Sequence, residues 1–500
     1  MKCQPFSSVA RKMEDKSLKQ IAVHGIFWSS IEQFATQGIG FVIGIILARI
    51  LTPSDYGLIG MLAIFMAIAQ SFIDSGFSSA LVQKADRTET DFSTVFYFNL
   101  GVGFFFYILL FIASPWIADF YSVPLLEPIT KVFALNFVIS ALSLVHRTKL
   151  LIKVDFKTQS KISIISIIIS GSMGIILAYK GFGVWALVIQ SLVGAAGQVA
   201  LFWFFTKWKP SFVFSKDSFH SLFGYGSKIM ASGLLNTIYN NVYTMVIGKI
   251  FSASDLGYYS RAQQLESLPA QNITAMLQRV TFPIFCSIQD DDARLITAYR
   301  KLIRLASFIM FPLMFLLVSI AKPLVILLVT EKWLPSVDLF QILCFAGMWF
   351  PIHAINLNIL QAKGRSDLFL RLEVWKKALG ISVLIITIPL GLKIMVVGQA
   401  FSSFACLFLN TYYTGKYFNY GIIKQLKDIF IFLFVAISLC GITLFAVQSF
   451  YSNWIQLIVG TLLYTGTYLT ISKLFKFEEL KEVVSILLKP FNRVSPELIS

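Results

Sequence analysis

The sequence predicts an all-α polytopic membrane protein with about fourteen transmembrane helices. Of its 500 residues, 56% are hydrophobic and only 14% are charged, and the mean hydropathy is +0.74. Soluble domains carry about 25% charged residues, so most of the surface of this chain must face lipid. A turn sequence that recurs 200 residues further along the chain also predicts two related halves.

Each transmembrane helix needs about 20 largely apolar residues, and the candidate spans were chosen by that rule. They lie at 22–48, 57–82, 93–113, 129–145, 162–179, 182–205, 219–248, 256–283, 303–328, 337–360, 373–390, 395–413, 428–448 and 454–472. Such runs are too continuous for the alternating strands of a membrane barrel. The longest outer loop is predicted over 114–128, so no domain outside the bilayer is expected.

The Lys and Arg residues orient the spans. With the N-terminus in the cytoplasm, 32 of the 42 Lys and Arg residues fall in cytoplasmic tails and loops, as the positive-inside rule requires. The excess of basic residues at the cytoplasmic side explains most of the net charge of +16, so no nucleic-acid partner is predicted. Residues 1–20 lack the features of a signal peptide, and residues 146–161 are predicted to lie amphipathically at the cytoplasmic headgroups.

The repeated turn consists of ILARILTPSDYG (46–57) and VIGKIFSASDLG (246–257). Both copies join consecutive predicted spans on the outer side, and Asp55 and Asp255 are each placed to cap the following helix. The alternative is chance similarity between two membrane turns. Duplication is favoured because Ile50, Ser54, Asp55 and Gly57 recur as Ile250, Ser254, Asp255 and Gly257 at equivalent points of the topology. Parallel repeats related by an axis along the membrane normal build two-lobed transporters.

We therefore predict two six-helix lobes related by a pseudo-two-fold axis along the membrane normal, followed by two C-terminal helices. The predicted parts are a cytoplasmic N-terminal tail (1–20), an N-terminal lobe (21–205), a cytoplasmic linker (206–218), a C-terminal lobe (219–415), two extra transmembrane helices (428–472) and a cytoplasmic C-terminal tail (473–500).

Charged residues inside the spans are costly and usually face a cavity. The basic candidates for a substrate-binding cavity are Lys228, Arg261, Arg279 and Arg49. Arg261 and Arg279 could instead reach the membrane surface as anchors. If they line a cavity, the expected substrate is anionic, because the guanidinium group matches phosphate oxygens.

The acidic candidates are Glu32, Asp74 and Glu266, which could carry a coupling proton or sodium ion or could pair with cations as structure. The five cysteines are scattered and contain no CxxC motif, so neither a disulfide framework nor a metal site is predicted. No cofactor is expected, and no GxxxxGK[ST] nucleotide-binding motif occurs in the chain.

The chain resembles the WzxC-type polysaccharide exporters of the multidrug/oligosaccharidyl-lipid/polysaccharide flippase superfamily. The resemblance extends from about residue 21 to 427 and is carried by GLIGMLAIFMAIAQSFIDSGFSSALVQKADRTETDFSTVFYFN (57–99), GFGVWALVIQSLVGA (181–195), LGYYSRAQQLESLPAQNI (256–273) and EKWLPSVDLFQIL (331–343).

The resemblance implies a non-enzymatic flippase in the bacterial inner membrane with both termini in the cytoplasm. Its substrate would be an undecaprenyl-diphosphate-linked oligosaccharide for lipopolysaccharide, capsule or exopolysaccharide. Its partners would be membrane lipids, a glycan polymerase and other assembly proteins. Two alternatives stay open at this point: a multidrug cation antiporter of the same superfamily, and a membrane-embedded glycan polymerase or ligase.

Overall fold

The computed structural model describes residues 18–74 and 76–492, which are helical and contain no β-strand. Within these ranges, the description leaves out the side chains of residues 18–24, 26, 225, 228, 229, 232 and 486–492. Packing divides the chain into two compact units, Met1–Gly257 (unit 1) and Tyr258–Ser500 (unit 2). The predicted lobe limits, drawn from hydropathy and the repeat, stay a prediction.

Unit 1 is a helical bundle in which α8 packs along both α1 and α9, and α10 packs along α2. Its helices are α1 (Leu18–Ile50), α2 (Pro53–Asp74), α3 (Phe77–Gln83), α4 (Glu89–Tyr121), α5 (Leu126–Phe133), α6 (Leu135–Ala141), α7 (Leu144–Ile152), α8 (Phe156–Tyr179), α9 (Val184–Thr206) and α10 (Lys216–Ile250).

Unit 2 is a second bundle in which α12 packs along α18, and α17 packs along α14 and α16. Its helices are α11 (Ala253–Ser287), which begins in unit 1, α12 (Asp292–Ser319), α13 (Ala321–Val329), α14 (Pro335–Gly347), α15 (Phe350–Ala362), α16 (Ser366–Thr387), α17 (Leu392–Phe418), α18 (Ile422–Val447), α19 (Asn453–Leu474) and α20 (Glu478–Asn492).

Within the described ranges, eleven helical segments are long and apolar enough to cross a bilayer, and each coincides with a predicted span. The three other predicted spans, 219–248, 256–283 and 373–390, lie in α10, α11 and α16. These helices carry more polar side chains than the rest. The predicted class, an all-α polytopic membrane protein, is confirmed.

The prediction of a long outer loop over 114–128 is wrong. Helix α4 continues through Pro115 to Tyr121, and α5 begins at Leu126. Proline removes one backbone donor from a helix, whereas unwinding this apolar segment in lipid would leave several backbone groups unpaired. The helix ends only at Ser122, which adopts a left-handed conformation with φ 57°.

The two copies of the repeated turn fold in the same way. In the first copy, Asp55 Oδ2 accepts hydrogen bonds from the backbone N–H (2.8 Å) and hydroxyl (2.7 Å) of Thr52. In the second, Asp255 Oδ2 accepts the corresponding bonds from Ser252 at 3.2 and 2.7 Å. Each hydroxyl oxygen accepts the aspartate N–H in return. In this reciprocal capping box, Thr52 and Ser252 are the cap residues and each aspartate is the third residue of its helix. The aspartates take part in capping as expected, but they accept the N–H of the cap residue instead of the free N–H groups of the helix.

The two turns also pack against each other within unit 1. A Cβ atom built on Gly57 would lie 1.7 Å from the carbonyl oxygen of Ala253, and one built on Gly257 would lie 1.9 Å from that of Pro53. Both glycines are thus required by a close backbone approach. The contact is reciprocal, because each glycine meets the first residue of the other helix, and this relation between the copies agrees with a local two-fold axis.

Candidate functional site

A polar cavity lies inside unit 1. It consists of two adjoining parts with volumes of about 520 and 350 Å³, and Ser140, Ser143 and Gln198 line both parts. Ligand sites typically occupy about 300–1,000 Å³. A hydrophilic space of this size within a bundle of membrane-spanning helices is the feature of unit 1 best suited to hold a polar ligand.

The predicted fourth span lines this cavity. The span over 129–145 is divided into three short helices, α5 to α7, by turns whose backbone stays in the right-handed helical region. Ser140 lies near the end of α6, and Ser143 precedes α7, where its hydroxyl donates to Ser140 O at 2.8 Å. Both serines line the cavity.

One charged pair lines the larger part of the cavity. Asp74 lies at the end of α2, accepts a hydrogen bond from Gln70 Nε2 at 3.2 Å, and is exposed to the cavity together with Arg147 of α7. The charge of Arg147 acts on Asp74, but Arg147 makes no side-chain hydrogen bond within the described part of the chain. Its guanidinium donors are thus available to an anionic ligand.

Glu32 lies behind the wall of this cavity. Its Oε1 atom accepts hydrogen bonds from Ser163 Oγ at 2.7 Å and Gln159 Nε2 at 3.5 Å, and Gln159 is a lining residue. Of the three acidic candidates, Asp74 therefore lines the cavity and Glu32 is joined to it through one side chain. Glu266 lies in unit 2.

Arg261 is buried in unit 2, with 4% of its surface exposed. Its guanidinium lies 5.2 Å from the ring centroid of the fully buried Trp333, and its Nη1 donates to Gln264 Oε1 at 2.8 Å. Stacking on an indole ring stabilises a guanidinium that has lost its water. These contacts fix the orientation of Arg261 within α11.

Glu266 is also only 4% exposed, and its Oε1 atom has no hydrogen-bond partner in the described structure. The carboxyl group occupies the space left by Gly347, because a Cβ on Gly347 would lie 1.7 Å from Oε1. Gly347 is the last residue of α14, and the C-terminal end of a helix carries partial negative charge. A negative charge on Glu266 is therefore poorly stabilised here.

The other basic candidates lie elsewhere. Arg49 is exposed in the last turn of α1, and Arg279 is exposed on α11. Lys228 lies on α10, but its side chain is outside the described residues. Arg49 does not line the unit 1 cavity, and substrate binding by these three residues stays a prediction.

Sequence analysis missed Arg147. The segment 146–161 was assigned to the cytoplasmic headgroup layer, so its arginine was interpreted as an orienting charge. The spacing Ser140, Ser143, Arg147 was the available signal, because residues three, four and seven apart share one face of a helix. Across the described residues, no group of three or more His, Cys, Asp or Glu side chains could hold a metal ion.

Comparisons with known proteins identify the family. Residues 46–338 match the family model described as polysaccharide biosynthesis protein. The chain is 30% identical over 352 residues to the teichuronic acid biosynthesis protein TuaB of Bacillus subtilis, covering 70% of this chain and 73% of that one. It is 26% identical over 372 residues to the lipopolysaccharide biosynthesis protein WzxC of Escherichia coli, covering 74% and 76%.

Among solved structures, the lipid II flippase MurJ in an inward closed conformation matches with a TM-score of 0.72. The match has 13% sequence identity and covers 90% of this chain and 98% of that chain. At this identity the likeness concerns the fold, and it agrees with the predicted exporter architecture. The resemblance found in the sequence is confirmed: the chain belongs to the polysaccharide biosynthesis protein family.

Proposed function

We propose that this chain is a flippase that moves an undecaprenyl-diphosphate-linked oligosaccharide across the bacterial inner membrane by alternating access. The glycan would serve lipopolysaccharide, capsule or exopolysaccharide synthesis. The observation that carries the proposal is the polar cavity of unit 1, which holds an arginine with uncommitted hydrogen-bond donors among helices of membrane-spanning length. The names of TuaB, WzxC and MurJ support the same class of substrate.

Arg147 would bind the diphosphate. A planar guanidinium offers paired donors to phosphate oxygens, and Gln70 and Asp74 leave it accessible on the cavity wall. Lys228, Arg279, Arg261 and Arg49 are proposed to hold the head group at earlier and later stages of its passage. Glu32, Asp74 and Glu266 remain the proposed coupling residues.

The isoprenoid tail would stay in the lipid throughout transport. Transfer of a methylene group from water to an apolar environment is favourable by about 0.8 kcal/mol. Moving the tail from lipid into a polar, hydrated cavity would lose this free energy for every methylene group transferred. Translocation therefore needs the protein to shield only the diphosphate and glycan. The chain would form no covalent bond, and a separate glycan polymerase would consume its product on the outer face.

The test is a gene deletion followed by analysis of lipid-linked glycans in cells stripped of their outer layers. Membrane-impermeant periodate oxidises only those sugars that face outward. We expect oxidation of the lipid-linked glycan in cells carrying the wild-type chain, and oxidation only after lysis in the deletion strain. Arg147→Gln should restore less than a tenth of the outward-facing lipid-linked glycan that the wild-type chain restores. This loss is expected because the variant removes a charged, hydrogen-bonded contact with the diphosphate.

Arg371→Gln is the matched control, because Arg371 is an exposed arginine on α16 that is not part of the cavity. It should restore the outward pool at equal protein abundance. A deletion strain that still exposes lipid-linked glycan outside, and merely stops lengthening it, would show that the chain is a polymerase. Full restoration by Arg147→Gln would remove Arg147 from the transport site.

A further inference from the structure

The smaller part of the unit 1 cavity, which we name the polar groove, differs in chemistry from the part that holds Arg147. Its volume is about 350 Å³, and its described lining contains neither a charged nor an aromatic residue. Its polar side chains come from α6, α8, α9 and the turn before α7: Asn136, Ser140, Ser143, Ser170, Gln190, Ser191 and Gln198.

The glutamines of the groove have unused hydrogen-bonding groups. Gln190 and Gln198 make no side-chain hydrogen bond within the described part of the chain. Asn136 is held in place, because its Nδ2 donates to Phe133 O at 2.9 Å and its Oδ1 accepts from Ser191 Oγ at 3.3 Å. The groove thus combines a fixed polar wall with two amides whose donors and acceptors face the cavity.

Helix packing shapes the groove around Gln190. A Cβ on Gly174 of α8 would approach the Gln190 side chain to 3.0 Å, so any larger residue would force that side chain to shift. A Cβ on Gly194 would similarly lie 3.3 Å from Ser170 Cβ. Small residues on both helices therefore leave room for polar side chains within a tightly packed pair.

The groove begins next to the arginine. Ser143 lines both parts of the cavity, and the backbone N–H of Arg147 donates to Ser143 O at 3.0 Å, one helical turn away. A ligand whose anionic group contacts Arg147 would therefore place the atoms directly attached to that group at the mouth of the groove.

We propose that the polar groove binds the uncharged sugar residues attached to the diphosphate. This inference rests on the proposed function and specifies which part of the substrate the groove binds. Sugar hydroxyls both donate and accept hydrogen bonds, and amide and hydroxyl side chains offer both kinds of partner. The absence of charge from the described lining disfavours a cationic drug or an acidic sugar at this position, and its polarity disfavours an apolar ligand.

The recognition would depend on hydrogen bonds instead of stacking. Aromatic side chains make up 15% of the chain, which suggested that some of them could stack on sugar rings. The described lining of the groove contains none. Specificity would follow from the positions of hydroxyl groups, since a missing hydroxyl would leave a side-chain amide unpaired.

The test measures binding of two lipids to the purified full-length chain by native mass spectrometry. One lipid is bare undecaprenyl diphosphate, and the other is undecaprenyl diphosphate bearing a neutral trisaccharide. The wild-type chain should bind the glycosylated lipid more tightly. The double variant Gln190→Leu/Gln198→Leu should reduce this preference about tenfold through lost hydrogen bonds, because it weakens binding of the glycosylated lipid more than binding of the bare lipid.

Gln448→Leu is the control, because Gln448 is an exposed glutamine at the end of α18 and not part of the groove; it should keep the wild-type preference. Replacing Gln198→Leu by Gln198→Asn in the double variant keeps an amide at this position and should recover part of the preference. Such a recovery would show that the double variant does not lose its preference through a folding defect. A wild-type chain without preference, or a double variant that keeps it, would overturn the inference. Arg147→Gln separates the two proposals, since it should weaken binding of both lipids equally.

Discussion

The two units use polar side chains in opposite ways. In unit 1, Arg147, Gln190 and Gln198 line a cavity and form no side-chain hydrogen bonds with the described residues. In unit 2, Gln425 Nε2 donates to Tyr299 Oη at 2.8 Å and to Asn356 Oδ1 at 3.1 Å, and all three side chains are fully buried. Polar groups that bond to one another stabilise a fold, whereas uncommitted groups around a cavity remain available to a ligand.

The network in unit 2 extends to Asp428, in the first turns of helix α18. Tyr420 Oη donates to Asp428 Oδ2 at 2.7 Å, and Arg300 of α12 binds both carboxylate oxygens of Asp428 at 2.9 Å. These bonds join α18 to α12, its main packing partner. The helix predicted as an addition to the transporter lobes is thus anchored by specific polar contacts.

The largest expected effect is on this network. Gln425→Leu would remove the buried hydrogen bonds from Gln425 Nε2 to Tyr299 Oη and Asn356 Oδ1, while the bond between Tyr299 and Asn356 would remain. At about 0.5–1.5 kcal/mol for each lost bond, we expect the free energy of unfolding to fall by about 2 kcal/mol, measured by thermal unfolding in detergent micelles. Gln448→Leu, on the exposed end of the same helix, should leave it unchanged. Equal stability of both variants would mean that the network is not structural and would abolish the contrast between the units.

The sequence was sufficient for the features that depend on local pattern. The Ser-Asp-x-Gly repeat predicts that both turns are capped, because short polar side chains next to a helix start bond to nearby backbone groups, although it does not identify Thr52 and Ser252 as the cap residues. Long apolar runs predict the spans, because the length of a run is also a local property. The predicted end of the third span is too early, because unwinding α4 in lipid would cost more than keeping Pro115 within the helix.

The polar groove could not be predicted in this way. Gln190 and Gln198 lie in apolar runs whose average hydropathy hides them, and their relation to Asn136 depends on how α6, α8 and α9 pack. The cavity-lining position of Arg147 could not be predicted because charge alone does not distinguish an anchoring residue from one that lines a cavity. Only tertiary packing determines which polar side chains meet in the groove and whether an arginine faces a cavity.

Glu266 differs from the members of the polar network in unit 2, since it is buried and its Oε1 atom has no hydrogen-bond partner among the described residues. Glu266→Gln keeps the shape of the side chain and removes the ionisable group next to the C-terminal end of α14. We expect it to raise the free energy of unfolding by about 1 kcal/mol near neutral pH, because folding of the wild-type chain must either bury an unpaired charge or protonate a carboxyl group that is ionised in the unfolded chain. A loss of stability would show that a partner or ion compensates the carboxylate, and Glu266 would then follow the rule of its unit.

The smallest expected effect concerns the groove itself. Gln198→Leu removes an amide that is exposed to the cavity and makes no side-chain hydrogen bond with the described chain, so no protein group loses a partner. Its free energy of unfolding should stay within about 0.5 kcal/mol of the wild-type value, measured under the same conditions as for Gln425→Leu. The same type of substitution would then be nearly neutral in unit 1 and damaging in unit 2. A destabilisation as large as that of Gln425→Leu would mean that Gln198 stabilises the fold. This result would contradict the proposal that the groove is a ligand-binding surface.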